Sequence, residues 1–145
     1  MSVEVLIGGD ICPTQSNYNL FSEGRIDDLL GSELKEVLRS ADYTIFNLEV
    51  PLTDKKEPLN KCGPNLIAPT GTIVGLGALN PHFFGLANNH ILDQGEDGLN
   101  STIELLKKHG ISYSGAGSNL DEARTAFIYN VKDITIGIYC CAEHE

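Results

Sequence analysis

The chain has 145 residues, 41% of them hydrophobic and 21% charged, and its 20 acidic side chains outnumber 10 basic ones for a formal net charge of −10. This composition indicates a folded domain, and its acidic balance argues against a protein built on nucleic-acid backbone contacts while suiting a cation-binding site. No apolar run approaches the roughly 18 residues that span a bilayer, so we predict no membrane segment.

The first half of the chain contains two short strands that each end in polar side chains. An apolar run over 3–9 closes with two glycines and places Asp10 at the carboxyl end of a strand. Apolar residues at helical spacing then predict a helix over 26–40, and Ser32 is well placed to cap its second part. A β-branched and aromatic run over 43–46 predicts the second strand, and Glu49 follows it closely.

A long loop and a strand–helix pair occupy the middle of the chain. Residues 51–69 are rich in Pro, Lys and Asn, and we predict a loop that folds over a site, because loops this long in compact domains are often functional. A short helix over 70–79 precedes an apolar strand over 83–87. Asp93 or Gln94 then opens the most regular helix of the chain.

The remaining residues predict a short strand over 111–114, a helix over 120–125, and strands over 127–129 and 134–141 that Lys132-Asp133 joins as a hairpin. Strands that alternate with helices predict an α/β fold with a mostly parallel sheet. The last strand would be an exposed edge prone to pairing between chains, so we predict a homo-oligomer through it. The four cysteines include no C-x-x-C pair and are read as free thiols.

The chemistry is expected where the strand over 83–87 stops in Asn88-Asn89-His90. On a parallel sheet Asp10, Glu49 and this run fall at one edge, where open α/β folds bind ligands. Carboxylate, amide and imidazole groups bind divalent metals, and an imidazole transfers protons near neutral pH. The alternatives are that Asp10 is a turn acceptor, that Glu49 is a surface acid, and that His90 only hydrogen-bonds the following turn.

Several of these short motifs together resemble the CapA family, the bacterial poly-γ-glutamate capsule biosynthesis proteins related to the calcineurin-like metallophosphatases. The resemblance covers nearly the whole chain, in the right order. It is carried by Gly9-Asp10, Asn47-Leu48-Glu49-Val50-Pro51-Leu52-Thr53, Leu86-Ala87-Asn88-Asn89-His90, Asp93, Gly95 and Gly115-Ala116-Gly117.

This resemblance implies a layered metallophosphatase-like fold with divalent metal ions, up to two in the full-length protein, at the sheet edge. The metal could be Mn, Zn, Fe or Mg. Asp10 resembles the first metal carboxylate, Glu49 the bridging carboxylate and Asn89 the amide ligand. His90 resembles the proton donor, and Asp93 could orient its imidazole. The metals would activate a water or polarise a phosphoryl or acyl oxygen.

Three positions qualify the resemblance. Cys12 stands where the phosphatases have the His of an Asp-x-His motif, which weakens the first metal position. Asn88 occupies the first position of the Gly-Asn-His motif and is a candidate substrate-binding residue. Lys61 of the long loop is the other candidate, since it could meet an anionic polymer such as polyglutamate; the alternative is that it belongs to a solvated loop.

Family members are typically much longer, so residues 1–145 are read as a single, incomplete amino-terminal domain that alone binds metal weakly and catalyses little. The implied function is metal-dependent hydrolysis of a phosphoester or γ-glutamyl bond, in a small molecule or an anionic polymer. The alternative is a non-catalytic accessory that holds polymer or partner proteins during capsule assembly or export. Without an export signal the chain as given is expected in the cytoplasm, although the family often works at the cell envelope.

Overall fold

The chain folds into a four-stranded parallel sheet and a two-stranded antiparallel hairpin, which a computed structural model describes over residues 2–143. This confirms the predicted α/β class with its carboxyl-terminal hairpin. The sheet has the order β1-β2-β3-β4, and the turn of the hairpin holds Lys132 at φ 53°. The strands are β1 (Val5–Ile11), β2 (Tyr43–Leu48), β3 (Phe83–Gly85), β4 (Ser112–Ser114), β5 (Phe127–Val131) and β6 (Ile134–Ile138).

Helices connect the parallel strands, as expected of right-handed βαβ units. The helix predicted over 26–40 is divided, because Gly31 adopts an extended conformation with ψ 156° and separates a 3-10 turn from α2. A second 3-10 turn, over Thr70–Thr72, leads into α3. The helices are α1 (Tyr18–Ser22), α2 (Ser32–Ser40), α3 (Ile73–Ala78), α4 (Gly95–Lys108) and α5 (Leu120–Ala123).

The main core lies between one face of the sheet and the helices. Phe46 and Phe84 project from adjacent strands into it, with ring centroids 6.2 Å apart. The stripe of α4 predicted to be apolar is buried there through Leu99, Ile103 and Leu106. Burial of each such side chain contributes about 1.5–3 kcal/mol. This packing fixes the strands whose ends form the site.

The opposite face of the sheet is covered only in part, by the hairpin. Tyr129 packs on Tyr43 at 4.2 Å between centroids, and Phe127 packs on Phe83 at 5.3 Å. The hairpin therefore covers β2 and β3, whereas Ile7 of β1 is 75% exposed. Within residues 2–143 no helix combines the length and apolar character needed to cross a bilayer. The homo-oligomer and the cellular location stay predictions.

Candidate active site

The carboxyl ends of β1, β2 and β3 lie side by side at one edge of the sheet. In the parallel register Asp10 pairs with Asn47 and Asn47 pairs with Gly85. Glu49 directly follows β2, and its backbone N–H donates to the Ile11 carbonyl at 3.1 Å. The residues 88–90 leave β3 at the same edge. The sheet thus brings together the strand ends that the sequence singles out.

The side chains of Asn47 and Asn88 form a chain of hydrogen bonds across this edge. We call these two side chains the amide relay. Asn47 Nδ2 donates to Asp10 Oδ1 at 2.7 Å, and Asn47 Oδ1 accepts from Asn88 Nδ2 at 3.1 Å. Asn88 Oδ1 then accepts the backbone N–H of His90 at 3.0 Å. The relay therefore links Asp10 on β1 to the loop that carries His90. The sequence places Asn47 at a strand end but does not show that its amide joins two other strands.

His90 and Asp93 form a buried pair next to the relay. Nδ1 of His90 lies 2.7 Å from Oδ2 of Asp93, whose side chain is only 1% exposed. The same carboxylate oxygen accepts the backbone N–H of Leu66 at 2.5 Å. A carboxylate that accepts from Nδ1–H fixes the imidazole tautomer and leaves Nε2 as the nitrogen that can exchange a proton with a ligand.

The loop over 51–69 contacts this pair, as predicted. Lys61 Nζ forms an ion pair with Asp93 Oδ1, donates to the Asn89 carbonyl at 3.3 Å, and lies 3.5 Å from His90 Nδ1. The backbone N–H of Leu59 donates to the Asp93 carbonyl at 3.0 Å. Asp93 thus binds the loop through its main chain and through both carboxylate oxygens.

Gln94 also holds the loop over 51–69. The sequence indicates Gln94 only as a possible start of α4. It does stand at the N-cap position of α4, but its side chain makes no cap hydrogen bond. Instead Oε1 accepts from Glu57 N at 2.9 Å and Nε2 donates to the Leu66 carbonyl at 2.9 Å. No sequence signal identifies these partners, because they lie 37 and 28 residues away.

Of the three predicted metal ligands, Asp10 belongs to this hydrogen-bonded chain, whereas the Glu49 and Asn89 side chains lie outside it. Glu49 is half-buried, and the Asp10 and Asn89 side chains are exposed. Within residues 2–143 no three His, Cys, Asp or Glu side chains form a group able to hold a metal ion. Two carboxylates and an amide oxygen are nevertheless donors that suit Mg²⁺ or Mn²⁺. The donor types therefore suit a divalent ion, further ligands would be needed to complete a site, and the roles of Asp10, Glu49 and Asn89 as ligands stay predictions.

Cys12, at the phosphatase histidine position, lies in the electrostatic field of both carboxylates. Burial raises the pKa of its thiol, and the negative charges of Glu49 and Asp10 raise it further. The thiol is free, as are the other three cysteines. Cys12 is therefore a probe of the two predicted metal carboxylates.

We expect Glu49→Gln to accelerate alkylation of Cys12, because removing a negative charge lowers the thiol pKa and increases the thiolate fraction. The rate should rise by a factor of roughly 2 for a charge screened near the surface. Peptide mass spectrometry after timed iodoacetamide treatment at mildly alkaline pH measures it. Glu36→Gln, an exposed acid on α2, is the control, and an equal rate in both variants would contradict the placement of Glu49.

An open cavity of about 540 Å³ adjoins the relay. It lies between α4, α5 and the segment after β6, and its lining includes Asn88, Ile91, Arg124 and Tyr139. Gly115, at φ +93°, forms part of the wall, where a Cβ atom would lie 2.7 Å from Cys140 Cβ. A ligand in this cavity would meet both an amide of the relay and an arginine.

This chain is an α/β domain with a candidate site at the edge of its sheet. It belongs to the bacterial capsule synthesis protein PGA_cap family, and the family model matches residues 4–145. The predicted resemblance is thereby confirmed. The probable polyglutamine synthesis accessory protein of Mycobacterium tuberculosis is 36% identical over 98 residues, which cover 63% of this chain and 24% of that protein.

The capsule biosynthesis protein CapA of Bacillus anthracis is 29% identical over 112 residues, which cover 75% of this chain and 27% of that protein. The PGA biosynthesis protein CapA of Bacillus subtilis is 27% identical over 112 residues, which cover 75% of this chain and 29% of that protein. The chain therefore spans about a quarter of the length of the curated relatives it matches.

Proposed function

We propose that this chain carries part of the active site of a metal-dependent hydrolase that cleaves a phosphoester or γ-glutamyl bond during poly-γ-glutamate capsule biosynthesis. The observation that carries the proposal is the 2.7 Å contact between His90 Nδ1 and the buried Asp93 carboxylate. A buried carboxylate that orients an imidazole is a common arrangement for general acid–base catalysis. The relatives, a capsule biosynthesis protein and a probable polyglutamine synthesis accessory protein, support the biological setting.

In this proposal His90 supplies a proton to the leaving group. The proton on Nε2 moves to the departing oxygen or nitrogen, while Asp93 Oδ2 keeps the Nδ1 proton in place throughout the transfer. Positioned proton transfer of this kind contributes typically about 10²–10⁴-fold to a rate. The amide relay holds the His90 backbone through Asn88 Oδ1 and so fixes the donor relative to the strand ends.

Asp10, Glu49 and Asn89 would hold the divalent ion, with further ligands from outside the described residues. When bound, such an ion supplies Lewis-acid polarisation of the phosphoryl or acyl oxygen. Asn47 Nδ2 donates a hydrogen bond to Asp10 Oδ1. This hydrogen bond restricts the orientation of the Asp10 carboxylate before an ion binds. The identity of the ion is left to measurement, because oxygen donors suit Mg²⁺ and Mn²⁺ while a completing histidine would favour Zn²⁺ or Fe²⁺.

An anionic substrate fits the groups around the cavity beside Asn88. Its lining includes one arginine, Arg124, whose exposed side chain pairs with Asp121 at 2.6 Å, and one acid, Glu96. Arginine binds carboxylates and phosphates through parallel hydrogen bonds. Poly-γ-glutamate and a small phosphoester both present such groups, so Arg124 would contact the substrate. Asn88 donates through Nδ2 to Asn47 Oδ1 and to the Leu48 carbonyl, and its predicted role in substrate binding would be to shape the wall of the cavity.

The second candidate is a non-catalytic accessory that binds polymer or partner proteins with the same fold. Two observations favour it: residues 2–143 gather no group of three strong metal ligands, and the Mycobacterium tuberculosis relative is named an accessory protein. The two candidates differ in one measurable property, metal-dependent turnover.

The test measures hydrolysis of p-nitrophenyl phosphate and γ-glutamyl-p-nitroanilide against Mn²⁺ concentration. We expect His90→Asn to lower the plateau rate about 10²-fold or more, since the proton donor is lost. We expect Asn89→Ala to raise the half-saturating Mn²⁺ concentration at least about tenfold, since a ligand is lost. His109→Asn, an exposed histidine at the end of α4, is the control. Because the site needs further ligands, the rate is expected to be low, and turnover that His90→Asn and Asn89→Ala leave unchanged would favour the accessory candidate.

A further inference from the structure

Asp93 is a buried carboxylate whose negative charge must be balanced. Its side chain is 1% exposed, and a carboxylate that is removed from water is strongly unfavourable unless it is paired and hydrogen-bonded. Lys61 places its ammonium against Oδ1 of this carboxylate, on the side opposite the contacts that His90 Nδ1 and Leu66 N make with Oδ2. The cation that balances the buried charge of Asp93 is therefore Lys61, on the loop over 51–69.

We propose that Lys61 is a positioning residue that acts on His90 through Asp93. Lys61 occupies Asp93 Oδ1, and Leu66 N together with His90 Nδ1 occupies Oδ2, so the carboxylate has one orientation. In that orientation Oδ2 accepts from Nδ1–H, and Nε2 is the nitrogen offered to substrate. This inference rests on the proposed role of His90 as the proton donor.

The contacts of Lys61 distinguish this role from substrate binding. Its ammonium forms an ion pair with Asp93 Oδ1, donates to the Asn89 carbonyl at 3.3 Å and lies 3.5 Å from His90 Nδ1. The side chain is 26% exposed, so most of it is withdrawn from solvent. Lys61 also ties two segments of the site together, because Asn89 immediately precedes His90.

The two roles predict different kinetics for Lys61→Met, which keeps the length of the side chain and removes its charge. A positioning residue changes kcat, whereas a residue that binds ground state and transition state equally changes KM. We expect kcat to fall about tenfold or more, with KM within roughly twofold of the unaltered chain. Lys61→Arg should restore most of the rate because it restores the cation. Lys56→Met, an exposed lysine of the same loop, should have no effect.

A spectroscopic measurement tests the inference without any substrate. Two-dimensional ¹H–¹⁵N spectra of the histidine side chains report which ring nitrogen carries the proton. We expect neutral His90 to be a single Nδ1–H tautomer in the unaltered chain and in Lys56→Met, and a mixture of tautomers in Lys61→Met. A single Nδ1–H tautomer in Lys61→Met, or a raised KM with unchanged kcat, would overturn the proposal.

A double-variant cycle covers the case in which Lys61→Met is poorly folded because Asp93 is left unpaired. Asp93→Asn removes the charge that Lys61 balances, so adding Lys61→Met to it should change the tautomer populations and kcat by less than about twofold. A further loss as large as in the unaltered background would show that Lys61 acts independently of Asp93. If His90→Asn leaves the turnover of the probes unchanged, the proposed function fails while the tautomer measurement still decides the role of Lys61.

Discussion

Asp93→Ala is expected to lower the free energy of unfolding by about 3 kcal/mol, as for other buried ion pairs from which one partner is removed. The change leaves Lys61 without its counter-ion and the Leu66 N–H without an acceptor, and it frees the His90 imidazole. The expected loss of stability is at the lower end of the usual range, because the Lys61 side chain is 26% exposed and water can solvate its ammonium once Asp93 is removed. Urea unfolding followed by circular dichroism measures it.

Asp97→Ala provides the matched control on the first turn of α4. Asp97 also pairs with a lysine of the long loop, since its Oδ2 lies 2.7 Å from Lys55 Nζ, but the two side chains are 61% and 58% exposed. Exposed pairs contribute about 0–1 kcal/mol, so this variant should remain close to the unaltered chain. Equal losses in the two variants would show that burial of Asp93 does not determine its energetic role.

Gly75→Ala and Gly77→Ala, in the same short helix α3, are expected to change stability in opposite directions. A Cβ atom on Gly75 would lie 2.6 Å from both Cα and O of Phe21 in α1, and backbone cannot move aside cheaply. Nothing lies within 4 Å of the corresponding position on Gly77. Overpacking typically costs about 1–3 kcal/mol, whereas exchanging helical glycine for alanine gains up to about 1 kcal/mol.

Thermal unfolding of both variants checks this prediction. The midpoint should fall for Gly75→Ala and rise slightly or stay level for Gly77→Ala. A rise for both would mean that α1 and α3 are separated more widely than the distances to Phe21 indicate. The comparison holds helix and substitution type constant, so close packing is the main difference between the two sites.

The features that the sequence predicts are those with local causes. The strand over Val5–Ile11 follows from an apolar run, and the carboxyl-edge position of Asp10 and Glu49 follows from parallel βαβ connections. The start of α2 is predicted to within one residue, because Ser32 is indicated as a cap and the structure has Gly31 at the N-cap position. Local periodicity predicts where an element lies but not where its backbone dihedrals change.

The partners within the site could not be predicted, because they depend on side-chain contacts between distant segments. Asn47 lies 37 residues from Asp10 and 41 from Asn88, and Gln94 binds a loop that precedes it by about 30 residues. His90 and Asp93 are only three residues apart, so their contact was within reach of sequence reasoning. Glu49 and Asn89 share the edge without joining the hydrogen-bonded chain, and their roles as ligands stay predictions.

The amide relay also bears on how the molecule assembles during folding. Its hydrogen bonds join three strands that are neighbours in space but are separated by long stretches of chain, so they can form only after β1, β2 and β3 have docked. Contacts between distant segments are the slow part of folding because the intervening loops must close first. The Asp10–Asn47 hydrogen bond should therefore form late in folding. A ligand that requires this hydrogen bond would bind the completed sheet and not a partly folded chain.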